Sequence, residues 1–255
     1  MGMAALTISA AAPAFAQATA TPQEIQQADV NDPFEGSNRF FFEINDALDG
    51  VILRPIAIAY RTVVPEYGRQ RIRNVLQNVD SPVVFANDVL QGEGDRAGNT
   101  FMRFVINTTL GVGGVWDVAT DWGFPQHDED FGQTLAVWGL EEGPYFYLPL
   151  LGPSNPRDSV GRIVDMGFDP LTYVQWGDDN EWIPVARIAL NIIDVRSRNI
   201  ETLDEIERSS VDYYASVRSL YRQVRNDAIR NGELGSDLPD FDTGGPGRPD
   251  AAQPE

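Results

Sequence analysis

The sequence predicts a mainly α, single-domain protein, and three observations predict it. Apolar residues return every three or four positions through most of residues 32–231, the period of an amphipathic helix. Gly and Pro crowd into one stretch, 121–156, instead of punctuating the chain evenly as they would between strands. The two ends have the composition of segments outside a core, leaving a folded length that suits one domain of about 100–200 residues.

Taken in order, residues 1–16 are Ala-rich and close on Ala14-Phe15-Ala16, a small-x-small pattern expected of an export signal cut before Gln17. A positive n-region is missing, which points to a start further upstream. Residues 17–31 are expected to be a flexible polar leader. Phe41, Ile44, Leu48, Val51 and Ile52 then mark a helix that Pro55 should kink or end. Ile72, Val75, Leu76 and Val79 mark a second helix, closed by Ser81-Pro82, with Val83–Leu90 a further short one ended by Gly92 and Gly94. Asp95–Thr109 carries Phe101, Phe104, Val105 and Thr108 on one face, and Gly111-Val112-Gly113-Gly114 interrupts it. After the Gly/Pro-rich loops, Ala186–Val195 and Ile200–Ile229 return to helical period. The last is expected to dock on the domain surface, and residues 232–255 are expected to form a disordered acidic tail.

Charge and composition narrow the chemistry. The net charge of -19 disfavours nucleic acid, and every basic residue is arginine. Cysteine is absent and histidine occurs once, at His127, so neither a thiolate nucleophile nor a Cys-based metal site is available. His127-Asp128-Glu129-Asp130 is expected to be a solvated acidic loop and not a metal site, because four adjacent residues rarely converge on one ion. No metal and no cofactor are predicted. Gly111-x-Gly113-Gly114 lacks the preceding strand and the Lys-Ser/Thr of a phosphate loop, so it reads as a close-packing or hinge element. Arg157-Asp158 fits a helix cap, an ion pair or a headgroup anchor, with the cap favoured, and Tyr145–Tyr147 fits an interfacial belt or a core equally well.

No apolar run reaches the roughly 20 residues that span a bilayer. Residues 104–116 and 143–156 are uncharged but short, and either bury in a core or lie in one leaflet as interfacial segments. On pattern alone the ordinary core is favoured.

Several short motifs keep a common order. Asp32-Pro33-Phe34-Glu35-Gly36-Ser37-Asn38-Arg39 is followed by Arg54-Pro55-x-Ala57 and Val64-Pro65, then Arg71–Asn78 with Pro82, and Asn87-x-x-Leu90-Gln91-Gly92. Arg103-Phe104-x-x-Asn107-Thr108 leads into Gly111-x-Gly113-Gly114-x-x-Asp117-Val118-Ala119. Asp130–Leu135, Gly143-Pro144-Tyr145, Leu148-Pro149, Gly152 and Arg157-Asp158 complete the series. Over residues 32–173 this resembles the VacJ/MlaA family of outer-membrane lipid-asymmetry proteins.

The resemblance implies a ring of amphipathic helices in the periplasmic leaflet of the outer membrane, around an amphipathic channel. It implies removal of mislocalised phospholipid from the outer leaflet and delivery to a soluble periplasmic carrier, beside a trimeric porin and without catalysis. Family members commonly carry an acylated N-terminal cysteine. This sequence has none, so attachment through its own apolar rim or a porin is expected. On this reading Asn107, Gly111, Gly113, Gly114 and Trp116 form the channel border or hinge. Phe101, Phe104, Tyr145, Tyr147, Leu150 and Arg157 are the lipid- or headgroup-facing residues. The alternative from another class is a periplasmic adaptor that binds porins and never handles lipid.

Overall fold

The computed structural model describes residues 31–174, 180 and 182–231. The expected export segment, the leader up to residue 30 and the tail from residue 232 lie outside them. The described residues from Asp32 onward are mainly helical. Helix α1 (Glu35–Leu48) runs through one π turn (Asp49–Leu53) into α2 (Arg54–Val63), and α3 (Glu66–Gln91) and α4 (Gly94–Thr109) pack along each other. Short α5 (Val118–Asp121) and α6 (Phe131–Val137) precede a small antiparallel hairpin, β1 (Phe146–Leu148) and β2 (Gly152–Ser154). Helices α7 (Pro156–Phe168), α8 (Trp182–Arg198), α9 (Ile200–Ser209) and α10 (Tyr213–Ile229) complete the chain, with a 3-10 turn (Pro170–Tyr173) after α7.

The sequence places most helices where they fall, with three corrections. Pro55 does not end the helical run: the α pattern of the first helix gives way to the π turn Asp49–Leu53 just before it and resumes in α2, with Pro55 in the opening turn. The expected stop at Ser81-Pro82 is absent, and α3 runs through Pro82 without a break. An interior proline disfavours a helix by about 3 kcal/mol, and here the long packing of α3 against α4 offsets it. Conversely, the single helix expected over residues 200–229 is two, divided at Ser210–Asp212, where the Asp212 side chain caps α10 by accepting from Ala215 N–H.

The larger difference concerns which faces are inside. Among the described residues, nine hydrophobic side chains are buried against twenty polar or charged ones, while thirty-five large hydrophobics are exposed. Helix α1 shows the pattern. Asn38 and Phe42 face inward, while Ile44 and, in the π turn, Val51 and Ile52 of the predicted apolar stripe face outward, Val51 with 77% of its surface free. In α4 the buried positions are Ala97, Thr100, Arg103, Ile106 and Asn107, and Phe101 and Val105 point away. The period was legible, but the apolar face is the outer one. Exposed apolar area on this scale is a liability in water and is the expected surface of helices resting in lipid. No helix among the described residues is long and apolar enough to cross a membrane.

Hydrogen bonds and ion pairs take the place of a large apolar core. Asp194 on α8 is almost wholly buried and accepts from Tyr60 of α2, Arg73 of α3 and Arg198 of its own helix, at 3.0–3.3 Å. Asp158 on α7 accepts from Asn155, Arg157, Tyr221 and Arg225, which joins α10 to α7. The apolar core that does exist is an aromatic cluster in which Phe42 meets Tyr147, Tyr213 and Tyr214 edge-on at 5.3–5.5 Å. Helices α6 and α7 cross where a Cβ on Gly161 would lie 2.3 Å from the Gly132 nitrogen, so only glycine permits that approach.

Candidate functional site

Helix α1 clamps the hairpin with two asparagines. Asn38 Nδ2 donates to the Tyr145 carbonyl (3.3 Å) while its Oδ1 accepts from Tyr147 N–H (2.9 Å). Seven residues on, Asn45 repeats the arrangement with the Leu148 carbonyl (3.0 Å) and Leu150 N–H (2.9 Å). Two helical turns advance about 10.5 Å, and three strand residues about 10 Å, so one helix face matches the strand edge twice. Each amide supplies one donor and one acceptor, as a neighbouring strand would. The hairpin tip at Leu150 has φ 66°, and its side chain is 77% exposed.

Below this clamp lies a groove. One half, of about 430 Å³, is walled by Phe42, Leu48, Ile52, Tyr147, Leu151 and Val217, among others. The second half, of about 410 Å³, is walled by Asn191, Ile192, Val195 and Asn199. Leu53, Arg196 and Leu203 line both and stand between them. Volumes of this size hold small ligands, whose sites run to about 300–1,000 Å³. The walls are mainly apolar, with a polar cluster of Asn45, Asp46, Asp49 and Arg196 on one side. Arg196 donates through Nε and Nη2 to both Asp49 oxygens at 2.8 and 2.7 Å. Asp46 is exposed, yet partial desolvation by its neighbours, followed by the Asp49 charge, pushes its carboxyl above the ordinary range, and Arg196 only partly offsets this.

The segment after α4 is built differently. Asn107 is buried, donating to Asp117 (2.9 Å) and accepting from Ala119 N–H (2.9 Å). Arg103, 5% exposed, donates to Gln126, Thr120, the Phe124 carbonyl and Asp117. Gly113 N–H and Gly114 N–H bond the carbonyls of Thr108 and Asn107, and Arg71 and Asn74 of α3 both donate to the Val115 carbonyl. A Cβ on Gly111 would lie 2.2 Å from the Trp116 carbonyl oxygen. The expected hinge is thus a turn fastened on both sides.

The remaining predicted positions divide. Phe101, Trp116 and Leu150 are exposed, Phe104 and Tyr147 are half-buried, and Tyr147 and Leu150 line the groove. Tyr145 and Arg157 face neither lipid nor solvent, being 1% and 6% exposed. Tyr145 packs against Tyr214 and Tyr221, and Arg157 pairs with Asp158 at 3.0 Å. The cap of α7 is Asn155, which accepts from Asp158 N–H. Of the expected solvated loop at residues 127–130, only Asp128 is exposed. Glu129 is buried on Gln91 and Arg96, His127 Nε2 lies 3.0 Å from Asp88, and Asp130 caps α6. Among the described residues no group of His, Cys, Asp or Glu is placed to hold a metal.

Sequence reasoning did not single out Asn45, Asp46, Asp49, Leu53, Arg196 or Leu203. The available signal was Asn38-x6-Asn45, a polar pair two turns apart beside an apolar stripe.

A helical fold with ionic networks inside, hydrophobic faces outside and a ligand-sized apolar groove is that of a membrane-associated protein. This chain belongs to the MlaA lipoprotein family, whose family model matches residues 30–228. It is 36% identical over 207 residues to the intermembrane phospholipid transport system lipoprotein MlaA of Escherichia coli (strain K12), covering 79% of each chain. It is 35% identical over 203 residues to an uncharacterized protein of Rickettsia felis, again over 79% of each. A solved structure described as the structural basis for maintenance of bacterial outer membrane lipid asymmetry matches with a TM-score of 0.70 at 33% identity, covering 78% of this chain and 98% of that one.

Proposed function

We propose that this protein carries phospholipid between membranes, drawing it from the outer leaflet of the outer membrane and so maintaining lipid asymmetry. The observation that carries the reading is the inverted burial. Exposed apolar helix faces rest in one leaflet, and ionic networks hold the fold together where lipid supplies no hydrophobic drive. The groove beneath the hairpin receives the acyl part of the lipid, with Leu53 and Leu203 between its two halves. The exposed Phe101, Leu150 and Trp116 meet the surrounding lipid.

The process is transport and makes or breaks no bond, so we read the protein as non-enzymatic. Its partners on this reading are a trimeric porin within the outer membrane and a soluble carrier on the periplasmic side. Replacing Leu203 by Trp places bulk between the two halves. In cells lacking the parent gene, Leu203→Trp is expected to leave phospholipid in the outer leaflet, as an empty vector does. Parental asymmetry with correctly localised Leu203→Trp protein would refute the groove as the route and favour an adaptor role.

A further inference from the structure

The three arginines that open α3 are spent differently. Arg69 pairs with Glu66, and Arg73 reaches the buried Asp194 carboxylate at 3.3 Å. Arg71 has no carboxylate partner among the described residues, and its bonds go to two neutral oxygens, the Val115 carbonyl and the Gln70 side chain, each at 3.2 Å. Its guanidinium lies 4.5 Å from the centre of the Tyr67 ring, which is 62% exposed. Stacking and the Val115 bond hold the fork in place, while Nη2, whose bond to Gln70 is on the exposed side, keeps its outer edge open. A half-buried, positioned cation with only neutral acceptors is out of keeping with a chain of net charge -19.

The surroundings say which anion suits it. The Val115 carbonyl belongs to the turn after α4, whose Leu110, Val112 and Trp116 are exposed and apolar. Arg71 and Tyr67 thus stand at the base of an apolar projection, as arginines and aromatic rings do at the boundary between acyl chains and headgroups. We propose that Arg71 binds the phosphodiester of a phospholipid headgroup, a phosphate oxygen accepting from Nη2 while the exposed turn enters the acyl layer beside it. The inference rests on the leaflet placement proposed above and adds a depth to it, with the start of α3 in the headgroup layer. Gln70 is neutral and exposed, so a charged phosphate oxygen displaces it as the stronger acceptor. The apolar neighbours that favour a lipid offer a dissolved phosphate ion nothing.

The test measures co-sedimentation of the full chain with two kinds of vesicle, one of phosphatidylethanolamine with phosphatidylglycerol and one of phosphate-free galactosyl diacylglycerol. Arg71→Gln is expected to bind the phospholipid vesicles about fivefold more weakly than the parent, the scale of one arginine at a lipid surface, and the galactolipid vesicles equally well. Arg208→Gln, which removes an exposed arginine bonded to a carbonyl of its own helix, should match the parent on both. Helical circular dichroism confirms that each variant is folded. Parental binding of Arg71→Gln to phospholipid, the same loss on galactolipid, or an equal loss in Arg208→Gln overturns the site and leaves Arg71 as a clasp on the turn. Erasure of the parent's advantage by inorganic phosphate at constant ionic strength overturns the lipid as its ligand. Failure of the parent to bind either vesicle overturns the leaflet placement with it.

Discussion

Two loops of this protein share an uncommon backbone conformation and are unlike in what lies beneath them. The turn after α4 and the tip of the hairpin each set an exposed aliphatic residue in left-handed backbone, Val112 at φ 53° and Leu150 at φ 66°. Both conformations are strained for a side chain with a Cβ, Val112 the more so because it is β-branched. The turn holds its strain by backbone bonds to α4, by Arg71 and Asn74, and by Gly114 set against Asn78. The hairpin tip is held to α1 by one asparagine, and it roofs a groove. The first loop is therefore part of the frame, and the second is the element that a single side chain secures over the ligand space.

Breaking the frame should have the largest effect. Arg103→Met removes four hydrogen-bonded contacts, including the Asp117 ion pair at 3.0 Å, from a buried position. Breaking such a buried pair costs about 3–5 kcal/mol. Urea unfolding followed by circular dichroism should show that loss as a lower midpoint, and a shift under 1 kcal/mol would mean that the network is ornamental.

The two glycines of the turn sharpen the comparison within the frame. Both sit at positive φ, so alanine at either is strained by about 1–2 kcal/mol. At Gly114 the new Cβ would also lie 2.5 Å from Asn78 Cβ, whereas at Gly113 nothing stands within 4 Å. Gly114→Ala should therefore unfold at lower urea than Gly113→Ala. Equal midpoints would show that Asn78 yields without cost.

At the hairpin the effect should be smaller and local. Asn45→Ala leaves the Leu148 carbonyl and Leu150 N–H without their partner, an expected loss of about 1–2 kcal/mol because water can reach this rim. Hydrogen exchange should quicken at residues 148–151 while α3 and α4 keep parental protection. Uniform quickening across the domain would make the hairpin as much a part of the frame as the turn.

How far the sequence discloses this division follows from the same chemistry. Helical period is set by local geometry, and α1, α4 and α8 were legible from it. Which face is inside depends on the solvent. The Phe101 and Val105 stripe of α4 gave the right period, but it turns outward, as the proposed lipid surroundings require, and Thr100, Arg103 and Asn107 turn in. The motifs that carried the family resemblance fall on the buried networks. Asn38, Asn87, Arg103, Asn107, Asp130 and Asp158 are all members, so the motifs disclosed the scaffold better than the groove. The groove is assembled from α1, the hairpin and the C-terminal helices, segments far apart along the chain, and no local spacing announces it.

Acid titration gives the smallest and most discriminating contrast, because the two regions bend a carboxylate in opposite directions. Burial alone would raise Asp117, but bonds from Thr120 and Asn107 and the Arg103 charge outweigh it and hold it below its ordinary 3.8. Its contribution to stability is present above pH 3.8 and is lost as pH falls through the folded value. Asp46 is raised above 3.8, so its ionised form costs stability at neutral pH, and that cost disappears as pH falls through the raised value towards 3.8. Asp117→Asn should accordingly be less stable than the parent at pH 7, with the difference shrinking only below about pH 3.8. Asp46→Asn should be slightly more stable at pH 7, with the gain fading as pH falls towards that same value. Urea midpoints across this range measure both. Like signs would remove the distinction between frame and groove, whereas opposite signs would show that the turn keeps its carboxylate for folding and the groove keeps one at the expense of folding.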